Sequence, residues 1–380
     1  MKFIHETVSL CNCCYRHIPG VVFEKDDKIW LSKKCPEHGI MEEVVEIDPE
    51  YYYGLYKTDA SEFISIMFEV TNKCQLNCPH CYQIPDNKHI DGPMSSLLGV
   101  ANMFPEGFIP ILAGAEASLY NDIIPLSHTL HDKFKKVRML TNGLRFADAE
   151  FAKELLSDKC ILPAVGLNHH TYQGKKVHEK QLRGIANIKE YGRCDGIGYT
   201  LEDIDHLPEI LEELDKIGRD NVDLVRIRMG ASIGRSTGGR NYLSNTVKEL
   251  KKLLGDELVH TPLEENLYHN MYNWKGMNIR LIQWPDVRSI DMEELNNGPW
   301  ANFIQGPISN YIHQVILRDA FTNNKLTQLD ITPDYYRLQD YKKDYWKTGW
   351  HSPTEIGRLE YNIEDPRRRP KKLPIRMTNN

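Results

Sequence analysis

The sequence has no run of eighteen or more apolar residues, so nothing in it reads as a membrane-spanning helix. Its first residues, Met1 to Glu6, lack the apolar stretch of a secretory signal. No excess of positive charge marks it for nucleic acid or an anionic membrane surface: 47 Lys and Arg stand against 53 Asp and Glu, a net charge of −6. No internal repeat recurs, which excludes a solenoid. Cysteine is scarce beyond residue 81, where only Cys160 and Cys194 remain. Together these lacks predict a soluble, cytoplasmic protein with neither nucleic acid nor a bilayer-spanning segment in its function. Hydrophobic residues make up 41% of the 380, enough for a sizeable core.

What is there begins with cysteine. Seven of the nine lie within the first 81 residues, and an odd total crowded toward one end suits metal ligation better than a disulfide framework. Cys11 and Cys14 form a C-x2-C pair, and Cys35 with His38 forms a C-x2-H pair. Between them, Val21-Val22-Phe23 and Ile29-Trp30-Leu31 flank the polar turn Lys25-Asp26-Asp27-Lys28, a hairpin signal. Two knuckles around a hairpin present four ligands at tetrahedral spacing, for zinc or for a mononuclear iron of the rubredoxin kind. Thiolate-rich ligation does not choose between those metals, and Cys13 could replace Cys11 or stand free. In a module of residues 1–58 such a metal would substitute for a core that the residues cannot build.

Residues 59–258 alternate short β-rich runs with amphipathic helical stretches. The predicted strands are Ile64–Val70, Ile109–Ala113, Val137–Leu140, Leu162–Leu167, Gly196–Tyr199 and Leu224–Met229. Helical patterns cover Glu150–Leu156, Leu207–Ile217 and Thr246–Leu254. Six βα units in a row predict an α/β fold with a parallel sheet and right-handed crossovers, a partial or complete (β/α)6-type barrel. In residues 259–350 the pattern weakens, with further strands expected at Ile279–Trp284 and Tyr311–Leu317. The aromatic-rich segment Trp274–Trp300 suggests that this extension caps the barrel mouth. Residues 351–380, with the basic run Arg367-Arg368-Arg369-Pro370-Lys371-Lys372, read as a flexible tail.

The first barrel strand runs directly into Thr71-Asn72-Lys73-Cys74-Gln75-Leu76-Asn77-Cys78-Pro79-His80-Cys81-Tyr82. Thiolates at Cys74, Cys78 and Cys81, spaced C-x3-C-x2-C, can wrap three corners of a cubane [4Fe–4S] cluster and leave the fourth iron without a cysteine. An open metal position is where a substrate or cofactor binds, and an amino acid's amine and carboxylate would suit it.

This motif, with the aromatic Tyr82, resembles the radical S-adenosylmethionine (SAM) superfamily. The resemblance implies that SAM chelates the open iron and is cleaved by one electron, from a reductant such as a flavodoxin or ferredoxin. The 5′-deoxyadenosyl radical so formed would abstract a hydrogen atom from an unidentified substrate. It further implies that Gly114-Ala115-Glu116-Ala117-Ser118 occupies the place of a Gly-Gly-Glu turn that bonds the SAM amino group, with Ala115 in place of the middle glycine. Thr141-Asn142-Gly143 is a turn that recurs in the family, and Asn168 matches a position that bonds the SAM ribose or carboxylate. Gly198 would let the backbone approach the adenine. His169, His170, Tyr199, Arg226 and Arg228 are the polar residues expected to line the substrate cavity, at the C-terminal ends of the strands. The knuckle module, with Cys35-Pro36-Glu37-His38-Gly39 and Gly234-Arg235-Ser236, narrows the resemblance to the group of tetraether lipid synthase and the methanopterin methylase. Those relatives carry further cysteines, whereas Cys160 and Cys194 are too few for a second cubane, and Cys160 reads as core. Coupling, rearrangement, elimination and methylation all remain open. The competing reading is an iron–sulfur electron carrier or redox sensor that never consumes SAM.

Overall fold

The computed structural model describes residues 1–13, 17–55, 65–71, 73–81, 94–102, 109–157, 161–230, 241–262, 267–283 and 288–291, with the single positions 91, 106 and 265. Tyr82, Cys14, Cys160, Gly234-Arg235-Ser236, the strand expected at Tyr311–Leu317 and the basic tail lie outside the described residues.

The chain opens with an antiparallel meander of four strands: β1 (Lys2–Leu10), β2 (His17–Lys25), β3 (Lys28–Cys35) and β4 (Gly39–Glu46). The expected hairpin is β2–β3. Asp26 and Asp27 both adopt φ of 52°, the left-handed pair that a two-residue turn needs to match strand twist. β1 and β4 escaped prediction because their alternation is broken by polar residues on both faces. The short helix α1 (Pro49–Tyr53) follows, capped by Asp48, whose side chain accepts from the Tyr51 N–H at 3.0 Å.

A second, nine-stranded sheet is built from β5 (Ser65–Thr71), α2 (Met94–Ala101), β6 (Ile109–Gly114), α3 (Ile123–Phe134), β7 (Val137–Thr141) and α4 (Ala149–Leu156). It continues through β8 (Ile161–Gly166), α5 (Lys175–Tyr191), β9 (Gly196–Leu201), α6 (Leu207–Ile217), β10 (Val225–Met229) and α7 (Leu243–Leu254). Strands β5 to β10 stand side by side in chain order, and every pair is parallel. Five successive parallel steps are the winding of a barrel, which among the described residues is open at β5. One face of the sheet carries Phe68, Leu112, Val137, Val165, Ile197 and Ile227 into a core shared with Leu126, Leu155, Ile185, Leu211 and Leu250 of the helices. Strand period two then sends Arg138, Arg226 and Arg228 to the opposite face.

Beyond residue 258 the sheet does not stop. β11 (Leu258–His260), β12 (His269–Trp274) and β13 (Met277–Gln283) extend it, with β13 parallel to β10 and β12 antiparallel to β13. The first part of the segment expected to cap the barrel mouth lies in these strands. Trp274 pairs with Met277 at the end of the sheet where the parallel strands begin, opposite the strand ends that carry the cysteine loop. Residues 284–287 and 292–300 lie outside the described residues.

The N-terminal sheet is tied to this last part of the chain by buried polar contacts. Glu46 accepts from Ser244 Oγ at 2.7 Å, and Asp291 accepts from Thr7 Oγ1 at 2.7 Å and pairs with His5 Nε2 at 2.8 Å. Lys248 of α7 reaches Asp48 at 2.6 Å. No helix among the described residues is long and apolar enough to cross a membrane.

Candidate functional site: a cysteine loop at the strand ends

Cys74, Cys78 and Cys81 occupy the loop that leaves β5, all three partly buried. The root of the loop is fixed by Thr71 and Lys73, which bond the two carboxylate oxygens of Asp91 at 2.6 and 2.7 Å. Gly114, at the end of β6, has φ of 122°, and a Cβ there would approach the Thr71 carbonyl oxygen inside 3.0 Å. Glycine is thus required where β6 meets the start of the cysteine loop. Ala115 tolerates its Cβ and donates its N–H to the Thr71 carbonyl at 3.0 Å.

The sulfurs themselves are met by N–H groups. Leu76 N–H lies 3.4 Å from Cys74 Sγ, and the Asn142 amide, from the turn after β7, lies 3.9 Å from it. Gln173, in the loop after β8, donates to Cys78 Sγ at 2.7 Å. Burial, with Glu116 and Cys81 nearby, pushes the Cys74 thiol up to about 11. Such a pocket disfavours a bare thiolate and would favour one beside iron, whose charge inverts the local balance. The three sulfurs do not converge to the spacing of ligands around one ion, as the donors of the N-terminal site do. A set of partly buried thiols, spread around a loop and offered N–H donors, fits a cluster better than a single ion.

Glu116 is fully buried, and burial raises its carboxyl above the usual range. One oxygen accepts from Ser118 N–H at 3.2 Å, Ser118 Oγ at 2.5 Å and Thr141 Oγ1 at 2.6 Å; the other accepts from Asn142 N–H at 2.6 Å. The carboxylate, with Ser118, locks the β6 and β7 loops together at the turn expected to face the SAM amino group. Asn168 is likewise engaged, accepting from Thr200 N–H at 3.0 Å between the ends of β8 and β9. Gly198 leaves room for a neighbouring side chain, since a Cβ there would meet the Arg228 guanidinium inside 3.0 Å.

The five residues expected in a substrate cavity separate. Tyr199 is fully buried on the helix side of β9 and donates to Glu213 at 2.6 Å, so it belongs to the core. His169 and His170 line a cleft between α5 and α6, on the outside of the sheet. Arg226 faces away from the helices but is bound to the buried Asp195 at 2.7 Å, which Arg138 also meets at 2.9 Å. Burial lowers the pKa of His80 in the cysteine loop; the Glu202 carboxylate works against this, and the Arg228 guanidinium adds to it. Gln173 was missed because an isolated glutamine carries no spacing signal, and Asn142 was legible only as part of a turn. His80 packs edge-on against Tyr172, ring centres 5.0 Å apart, so the 168–174 loop grips the cysteine loop at two points.

In the N-terminal sheet, His38 Nδ1 lies 3.5 Å from Cys11 Sγ and 3.3 Å from Cys35 Sγ. Tetrahedral zinc at ordinary Zn–S and Zn–N lengths would hold sulfur and nitrogen about 3.6 Å apart. Although burial alone would raise it, bonding from His38 and the Glu37 and His38 backbone lowers the Cys35 thiol to about 6. These donors fit a metal site with a fourth ligand still to be named. Cys13, whose N–H lies 3.4 Å from Cys11 Sγ, is at hand, and Cys14 lies outside the described residues.

Comparison with known proteins agrees with both halves. Residues 3–47 match the HMPTM N-terminal zinc ribbon domain. The chain is 26% identical to 7,8-dihydro-6-hydroxymethylpterin dimethyltransferase of Methanocaldococcus jannaschii over 49% of its length, and 27% identical to Fe-coproporphyrin III synthase of Methanosarcina barkeri over 40%. These homologues are radical SAM enzymes. The chain is their relative, with a zinc ribbon in front. The matched stretch spans 45% of the dimethyltransferase and 42% of the synthase, less than half of either. Among solved structures, SuiB of Streptococcus suis bound to S-adenosylmethionine aligns at 14% identity with a TM-score of 0.44, covering 59% of this chain and 51% of that one.

Proposed function

We propose that this chain is a radical SAM enzyme that reductively cleaves S-adenosylmethionine and removes a hydrogen atom from a substrate still to be identified. The observation that carries the reading is the set of Cys74, Cys78 and Cys81 on one loop, with N–H donors from Leu76 and Asn142 at the Cys74 sulfur and from Gln173 at the Cys78 sulfur. Bound by those thiolates, a [4Fe–4S] cluster supplies the one-electron cleavage of SAM to a 5′-deoxyadenosyl radical. The protein's own residues then hold and screen it. Glu116 and Ser118 fix the loops after β6 and β7, Asn168 fixes those after β8 and β9, and SAM would lie on the surface they shape. A flavodoxin or ferredoxin would deliver the electron. Of the expected cavity residues, Arg228 is the one whose position beside His80 supports contact with substrate, which favours a substrate bearing an anionic or strongly polar group. The ribbon would hold zinc through Cys11, Cys35 and His38, as its match to a zinc ribbon supports.

A second reading is methyl transfer, favoured by the likeness to a pterin dimethyltransferase and to the ribbon of that family. One experiment separates them. The protein, purified without oxygen and reconstituted with iron and sulfide, is given dithionite and SAM, and products are followed by mass spectrometry beside a Cys78→Ala sample. Formation of 5′-deoxyadenosine that depends on Cys78 is the expected result, and S-adenosylhomocysteine in addition would establish methylation. A cluster that assembles and is reduced while SAM stays intact would overturn the enzyme reading in favour of an electron carrier.

A further inference from the structure

Outside the barrel, the cleft between α5 and α6 has a volume of ≈ 870 Å³ and is lined by three histidines, three glutamates and two lysines among apolar residues; Lys216 is paired with Glu212 and Lys189 bonds the Ile217 carbonyl. At its upper end His169, His170 and Glu209 each bring one ligand atom within 4.8 Å of the others. His169 is buried, with Nε2 2.7 Å from Glu209 and Nδ1 2.8 Å from Thr171 Oγ1. Its ring stacks on His206 with centres 4.0 Å apart and lies 4.3 Å from His170. The ring nitrogens of imidazole are common ligands for a first-row cation. Nδ1 of His206 is buried with no hydrogen-bond partner. The Glu213 carboxylate is already taken by His178 and Tyr199, which leaves Glu209 as the carboxylate of the cluster.

We propose that His169, His170 and Glu209 form a binding site for a single first-row divalent cation, zinc being the physiological choice, with its remaining positions open to the cleft. Two imidazoles and a carboxylate are a zinc-type donor set with no sulfur, chemically unlike the ribbon. Zinc at ordinary lengths would set nitrogen and oxygen roughly 3.3 Å apart, so Glu209 must move outward from its present 2.7 Å. It can, since its side chain is 62% exposed and rides on the surface of α6. The consequence reaches the cysteine loop. His169 and His170 stand directly before Tyr172 and Gln173, the two residues that grip His80 and Cys78, so a cation here would pin that loop to α6.

The test uses the full chain with its iron–sulfur cluster reconstituted, dialysed against zinc chloride and freed of loose metal. Wild type is expected to keep two zinc equivalents by elemental analysis, whereas Glu209→Gln and His170→Ala keep one. A Cys35→Ser chain, crippled in the ribbon, should keep one zinc whose X-ray absorption shows nitrogen and oxygen neighbours near 2.0 Å and no sulfur. Glu209→Gln alters an exposed side chain, and unchanged circular dichroism and iron content would establish that it still folds. Equal zinc in wild type and both cleft variants would overturn the site, as would sulfur in the Cys35→Ser spectrum. Neither result depends on SAM cleavage, so failure of the site and failure of the enzyme reading are separately visible.

Discussion

Gly184 sits inside α5, where glycine costs about 1 kcal/mol relative to alanine by intrinsic helix propensity. Propensity alone says that Gly184→Ala should stabilise the protein. The packing says the reverse. A Cβ at Gly184 would meet the carbonyl oxygen of Gly143 inside 3.0 Å, with Ala147 N at 3.4 Å behind it, and both obstacles are backbone. Overpacking costs about 1–3 kcal/mol, and an obstacle that cannot rotate away belongs at the upper end. Subtracting the propensity gain leaves a net loss of about 2 kcal/mol, or a melting temperature lower by roughly 4–8 °C. Gly99, inside α2, is the internal control, because a Cβ there meets nothing within 4 Å. Gly99→Ala should melt roughly 2–4 °C above wild type, from the same propensity term unopposed. Both variants are compared by calorimetry at one pH and one metal load. If Gly184→Ala melts at or above wild type, α5 does not lie against the 141–143 turn, and the placement of Asn142 beside Cys74 loses its support.

Further outcomes follow from single contacts. Gln173→Leu removes the amide N–H from Cys78 Sγ, and such donors favour the more negative, reduced cluster; its midpoint potential should fall by on the order of 50 mV in a redox titration, and an unchanged potential would separate Gln173 from the cluster. Chelation of the ribbon metal, or Cys35→Ser, should lower the melting temperature and loosen β1–β4 in hydrogen exchange while the parallel sheet stays protected. Asp48→Ala should cost about 1 kcal/mol by loss of the α1 cap, with up to ~1 kcal/mol more from Lys248. Burial works to raise the Asp48 carboxyl, but bonds from Lys248 and the Tyr51 and Glu50 backbone outweigh it and hold it below the usual range. Its contribution is then present above the ordinary carboxylate range and lost as pH falls through it, so the gap between variant and wild type should close in acid. A gap that is constant down to about pH 3 would refute that assignment.

The parts legible in the sequence are those that obey a local period. All six barrel strands were readable because each is a short apolar run, and α6 because Leu207, Ile210, Leu211 and Leu214 fall at helical spacing. The cysteine motif was readable because ligand spacing is itself local. What escaped are the residues whose meaning depends on a partner far along the chain. Glu46 finds Ser244, Asp291 finds Thr7, and Gln173 finds Cys78, none with any signal within ten residues. β12 was likewise hidden, since the Asn and Tyr in His269–Trp274 blur the alternation that burial in a sheet would otherwise impose, whereas β13 falls on the strand expected at Ile279–Trp284.

The residues that the resemblance implies for SAM also share a structural task. Glu116 and Asn168 each join one strand end to the next, and Gly198 leaves room for the Arg228 side chain. Among the described residues no strand closes the sheet at β5, so the loops are fastened to one another. Buried polar side chains do this with direction as well as energy, because an unmet donor or acceptor in the interior costs more than the bond contributes. Glu116 binds the turn that carries Asn142, and Asn142 approaches Cys74; Gln181 of α5 donates to the Asn142 carbonyl at 2.8 Å and the Gly166 carbonyl at 3.0 Å. The chain of contacts thus runs from a helix on the outer face to the sulfur of a cluster ligand. On this argument, Gln181→Leu should disturb the cluster without touching it: iron content and the electron-paramagnetic-resonance line shape of the reduced protein should change, while Gln181→Glu, which keeps size but no donor, should do the same. Wild-type spectra from both variants would mean that the loops are held without Gln181, and the chain of contacts from α5 to Cys74 would carry no effect.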